Sequence, residues 1–124
     1  MKLSRRKFEA LVVRALETIP EPIRARMDNV DVVIEDRPSP DQLTSLDLSP
    51  DEELFGLYEG TPLIERGITA NPLMPDKITI FQRALEAGCE TEADITEEVR
   101  RTIVHEVAHH FGFNEEKLAE LGYD

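Results

Sequence analysis

Apolar residues recur along the chain at two spacings, and the changes from one to the other divide it into elements. Phe8, Leu11, Val12, Ala15, Leu16 and Ile19 fall three and four residues apart behind Ser4, the pattern of an amphipathic helix with a serine N-cap. Pro20 and Pro22 close that helix, since a proline in a helix interior removes a hydrogen bond and clashes with the preceding turn. A short helical turn is expected around Ile23 to Met27. Val30, Val32, Val33 and Ile34 then form a β-branched run bounded by Pro38 and Pro40, which reads as a strand. Residues 36–53 are rich in Pro, Asp and Ser with little periodicity, so they read as a surface connection, long for a compact domain.

Leu54, Phe55, Leu57 and Tyr58 predict a second strand, and Ile78, Ile80 and Phe81 alternate with Lys77 and Thr79 as a half-buried third strand would. Gly60, Pro62, Gly67, Pro72 and Pro75 mark an irregular stretch between them. From about Asp94 to Phe111 the helical period returns, with apolar residues at 95, 99, 103, 104, 107, 108 and 111, Asp94 as N-cap and Glu97 three residues on. Gly112 stops this helix, and Asn114 caps a last short one carrying Leu118 and Leu121. No repeat, low-complexity tract or boundary divides the chain, so residues 1–124 read as one domain.

At about 100° per residue, the apolar positions of the Asp94 to Phe111 helix fill one arc centred near Val107, and two histidines fall outside it. His105 and His109 are four apart, so they stack one turn from each other on one face, where two imidazole nitrogens can converge on a single ion. Glu106 lies on the flank of that face, too offset to be a tidy third ligand and placed to reach a metal-bound water. It could take a proton from that water and return it to a leaving amine. A chance HExxH in a chain of this content has a probability on the order of one in a hundred.

Catalytic zinc sites usually hold three protein ligands, so another must lie near. Gly112 tolerates a left-handed backbone and lets the chain swing back, presenting Glu115 three residues later. Glu115 is the candidate third ligand, although an acid directly after an Asn N-cap is favoured by the helix dipole without any metal; Glu116 is its competitor. His110 projects away from His105 and is assigned to packing or to an outer hydrogen bond. Zinc suits this donor set, although manganese, iron, cobalt or nickel also accept it.

Composition narrows the field. Apolar residues make up 40% and charged residues 32% of the chain, ordinary for a globular protein. Acids outnumber bases 26 to 14, a net charge of −12, which repels phosphate backbones and argues against a nucleic-acid partner, including the RNA that some small metalloenzymes with comparable histidine spacing cut. Arg5, Arg6, Lys7, Arg14, Arg24 and Arg26 gather in the first quarter as a solvated helix face. Cys89 is the single cysteine, so no intramolecular disulfide forms, and a buried inert thiol is expected. Glu9, Arg14 and Glu17 interrupt the start, and no apolar run nears 18 residues, so no membrane association and a cytoplasmic location are expected. Phosphate-loop and paired-CxxC motifs are absent from the sequence.

The run HEVAHHFGFNE, His105 to Glu115, resembles the extended zincin motif HExxHxxGxx followed by a third ligand, a frame that metzincins share. The Met-turn of metzincins has no counterpart, since Met1, Met27 and Met74 all precede the motif. More closely, the chain resembles the bacterial family of small single-domain zincin-like metallopeptidases, or minimal zincins. The likeness extends through ETIPEPIRARMDNVDVVIED, ELFGLYEGTPLIERG and KITIFQRALE. It implies His105, His109 and Glu115 as zinc ligands, with Glu115 where the family often has Asp, and Glu106 as catalytic acid/base. It implies an α+β fold: an N-terminal helix, a small mixed sheet of about three strands, the active-site helix and a short C-terminal helix. An edge strand would pair with an extended peptide or protein substrate. With 9 residues after Glu115, the site is expected to be shallow or completed by a protein partner. A metal-stabilised module that binds peptide or protein without cutting it is the alternative.

Overall fold

The computed structural model describes residues 1–48, 54–60 and 75–120. Among these residues the elements run α1 (Arg5–Glu17), α2 (Glu21–Arg24), β1 (Val30–Glu35), α3 (Pro40–Ser45), β2 (Gly56–Glu59), β3 (Asp76–Phe81), α4 (Gln82–Gly88), α5 (Glu92–His110) and α6 (Glu115–Glu120). The stretch from Thr61 to Met74 and Leu121 lie outside the described residues.

The N-cap of α1 is Ser4, whose hydroxyl accepts from the Lys7 amide at 3.1 Å and so satisfies one of the donors a helix start leaves orphaned. At the other end the Arg24 guanidinium donates to the Leu16 and Glu17 carbonyls at 3.1 and 2.8 Å, doing the same for orphan acceptors. Pro20 ends α1 and also serves as N-cap of α2, where Pro22 sits in the first turn and its missing N–H costs nothing. The expected turn at Ile23 to Met27 therefore begins two residues earlier.

The sheet is mixed, in the order β1-β3-β2, with β3 parallel to β1 and antiparallel to β2. The sequence pattern of β3 reads as half-buried, but the strand is central and Ile78, Thr79, Ile80 and Phe81 are all fully buried. Ile78 and Ile80 pack into the main core with Phe8 and Leu11 of α1 and Val99, Ile103 and Val107 of α5. Phe81 joins Leu57 and Ala84 in a second, smaller cluster. Each fully buried large apolar side chain contributes about 1.5–3 kcal/mol, so the α1 and α5 layer on the sheet is what fixes the orientation of α5. The Cys89 thiol is buried, as expected.

Three helical features depart from the sequence reading. Residues 36–48 are not wholly irregular: α3 opens on a capping box in which Ser39 and Gln42 each accept from the other's amide, at 3.1 and 2.8 Å. The helix buries no residue, so no apolar period announces it. α4 follows β3 without a loop. α5 starts at Glu92 with Thr91, not Asp94, as N-cap; Thr91 accepts from the Asp94 amide at 3.0 Å. Among the described residues no helix is long and apolar enough to cross a membrane.

Glu86 on α4 ties the N-terminal segment down. Its Oε2 accepts from the Leu3 amide and from Gln82, both at 2.9 Å, and its Oε1 from Arg83 at 2.8 Å. Burial pushes this carboxyl up, and the bonds from Gln82, the Leu3 amide and Arg83 together with the Arg83 charge outweigh that push, leaving it below the usual value. A group with a depressed folded pKa binds fewer protons folded than unfolded, so it stabilises the fold above the ordinary glutamate range of about 4.3 and ceases to as pH falls through its native pKa. Glu86→Gln is expected to cost about 1–2 kcal/mol at pH 7. In urea unfolding followed from pH 7 to 3, the gap to wild type should close in the acid; a gap independent of pH would contradict this.

Candidate metal centre

Helix α5 buries Ile95, Val99, Ile103, Val104, Val107 and Ala108, which turns His105 and His109 outward. His105 is half-buried and His109 exposed, with ring centroids 6.1 Å apart and planes inclined at 33°. Two imidazoles sharing one tetrahedral ion at about 2.0–2.1 Å from each nitrogen have centroids about 5 Å apart. The rings would have to come about 1 Å closer to share an ion.

The helix ends as Gly112 allows. Gly112 has φ 81°, its amide donates to the His109 carbonyl at 3.2 Å, and the Phe113 amide to the Ala108 carbonyl at 2.7 Å. This is the Schellman pairing, which needs a left-handed residue at that position. The Arg26 guanidinium lies over the rings of Phe111 and Phe113, 5.8 and 5.9 Å from their centroids, within cation–π range. Asn114 then caps α6 by accepting from the Lys117 amide at 2.8 Å, and buried Leu118 anchors that helix in the core.

The turn returns Glu115 to the histidine face, with its Oε1 3.7 Å from His109 Nε2. Two ligands of one tetrahedral ion lie about 3.3 Å from each other, so the pair is a few tenths of an ångström from that spacing. Glu115 is 76% exposed on its side chain, and an ion pair so open to water contributes little by itself. Among the described residues no ion pair joins Glu116 to the histidines, and no three His, Cys, Asp or Glu side chains already stand together as a closed cage. Two imidazoles and a carboxylate are the residue types of a catalytic zinc donor set.

Glu106 is half-buried between this face and β2, where its Oε1 accepts from the Tyr58 amide at 2.9 Å. Thr102, Glu106 and His110 make one ridge of α5, each four residues apart, and β2 runs along it. Four helical residues rise about 6 Å and two strand residues about 6.6 Å, so Gly56, Tyr58 and Gly60 meet Thr102, Glu106 and His110 in turn. Glycine at both ends permits the approach: a Cβ on Gly56 would stand 2.5 Å from the Thr102 methyl, and one on Gly60 3.2 Å from His110 Cε1. Because the Tyr58 amide bonds Glu106, it points away from β3. Residues alternate along an antiparallel ladder, so Gly56 also turns its polar groups outward. Among the described residues β1 and β2 are the outer strands of the sheet, and β2 is the one beside α5.

Sequence reasoning gave no role to Asp76 and saw Tyr58 only as a strand residue. The Tyr58 hydroxyl donates to Asp76 Oδ2 at 2.6 Å, and its ring stacks on His110 at 4.0 Å between centroids. His110 thus packs on Tyr58, and its Nε2 lies 3.8 Å from Asp76 Oδ2.

In the solved structures, a conserved hypothetical protein from Thermo thermophilus shares this fold, with a TM-score of 0.56, 22% identity, and coverage of 98% of this chain and 100% of that one. No curated protein matches the chain. The sequence pattern of the family described as zincin-like metallopeptidase matches residues 27–123, which take in β1, the ridge and the whole histidine segment; the chain belongs to that family.

Proposed function

We propose that the chain is a zinc-dependent peptidase in which His105, His109 and Glu115 hold the ion and Glu106 is the acid/base. The observation that carries this reading is the carboxylate of Glu106, oriented by an edge-strand amide at 2.9 Å on the flank of two histidines one turn apart. Zinc, when bound, supplies a Lewis acid that lowers the pKa of water and polarises a carbonyl. With Oε1 of Glu106 engaged by Tyr58, Oε2 accepts the proton from water and delivers it to the leaving amine. The outward polar groups of β2 other than the Tyr58 amide, which Glu106 occupies, bind an extended peptide by strand addition. The acidic chain favours a peptide or protein over a nucleic acid, and a protein partner completes the open side of the cleft.

The test is zinc-loaded protein against a diverse peptide library, with a chelated control. Zinc-dependent cleavage supports the proposal. Blank assays beside a zinc-dependent rise in melting temperature support instead a metal-stabilised binding module, a reading favoured by the exposure of His109 and Glu115, 58% and 76% on their side chains.

The third ligand is separately testable. Glu115→Ala is expected to weaken zinc binding by more than the roughly 10–100-fold typical of groups that only orient a ligand, and Glu116→Ala to leave it unchanged. Competition titration with a chromophoric chelator reads both. The opposite order would assign the position to Glu116.

A further inference from the structure

We infer that Asp76 and Tyr58 are positioning residues for Glu106: the Asp76 carboxylate fixes the Tyr58 side chain, and Tyr58 thereby fixes the amide that orients the Glu106 carboxylate. β2 is four residues long and pairs with β3, and its outward Tyr58 amide takes its direction from side-chain contacts as well as from that ladder. Tyr58 stands opposite Ile78 in the register, which makes Asp76 its diagonal neighbour on the same face, within reach of a long side chain.

Three contacts use that placement. The Tyr58 hydroxyl bonds Asp76 Oδ2 at 2.6 Å, in the short range of charge-assisted O–H···O bonds. The His110 ring covers the Tyr58 ring at 4.0 Å and 20°, and Phe111 meets it edge-on at 6.4 Å. Asp76 is itself fixed, with a side chain only 12% exposed and an amide bonded to the Asn29 carbonyl at 2.9 Å. The Tyr58 ring is thus held at its tip and on its face, and the backbone at its root carries the donor to Glu106. The consequence for catalysis rests on the proposed role of Glu106, whereas the coupling itself is readable without any turnover.

The experiment is amide hydrogen exchange by NMR on the full zinc-loaded chain, comparing wild type with Tyr58→Phe, Asp76→Asn and Glu106→Ala. Tyr58→Phe deletes one hydroxyl and keeps the stacked ring, so it decides the matter even if Asp76→Asn fails to fold. The amide at position 58 is expected to exchange about five- to tenfold faster in the first two variants, approaching its rate in Glu106→Ala, with the ladder amides of positions 57 and 79 still protected. A merely structural role would raise exchange throughout β2 and β3. That outcome, or an unchanged rate at position 58, overturns the inference. If the chain binds no zinc or cuts no peptide, the proposed function fails while this result still stands or falls by itself. If it is a peptidase, Tyr58→Phe should lower kcat with KM nearly unchanged.

Discussion

Glu106→Gln is expected to lower kcat/KM for peptide cleavage by about 10²–10⁴-fold, the usual contribution of a general acid/base, while the protein still takes up one zinc ion. The substitution is selective for a structural reason. A glutamine oxygen still accepts from the Tyr58 amide, now 2.9 Å from Glu106 Oε1, so β2 keeps its place on α5. What is lost, under the proposed mechanism, is the group that holds a proton in transit. Zinc stoichiometry from elemental analysis and kcat/KM measured on the same preparations separate the two effects. Equal turnover by wild type and variant would overturn the proposed peptidase, and loss of zinc would make Glu106 part of the metal's own support.

The helical period alone carried much of the site. His105, Glu106 and His109 lie within five residues of one helix, so the shared face of the histidines, with Glu106 on its flank, follows from 3.6 residues per turn, and the left-handed Gly112 led to Glu115. What the sequence concealed is non-local. Tyr58 and Glu106 are 48 residues apart, and Tyr58 and Asp76 come together only through the β2 and β3 register. Local pattern carries no information on such pairs. α4 escaped notice for another reason: Gln82, Ala84, Leu85 and Glu86 are all buried, so its polar and apolar residues do not sort onto two faces. β3 misled because Thr79 looks like a solvent-facing residue and is fully buried, with its hydroxyl making no hydrogen bond among the described residues.

The close seat of β2 on α5 gives the remaining large effect, which is expected in Gly56→Ala. A glycine with an ordinary backbone normally gains about 0.4–1 kcal/mol on becoming alanine, because the unfolded chain loses freedom. The left-handed glycine φ among the described residues belongs to Gly112, so no backbone penalty is expected at Gly56. The added methyl, however, would lie 2.5 Å from the Thr102 methyl and 3.2 Å from the Thr79 carbonyl oxygen. The carbonyl is held in the sheet, and a threonine in a helix is confined to two χ1 rotamers with which to withdraw. Overpacking of this kind costs about 1–3 kcal/mol, more than the entropic gain, so the variant should be less stable. Thr102→Ser removes the closest obstruction and leaves the Thr79 carbonyl at 3.2 Å, so in that background Gly56→Ala should cost less than it does alone. Urea unfolding of the four proteins gives the coupling directly; additivity within about 0.3–0.5 kcal/mol would show that the two residues do not touch. A strand pushed off the ridge also carries the Tyr58 amide away from Glu106, so the single variant should lose zinc-dependent turnover, if wild type has it, and the double variant should regain it.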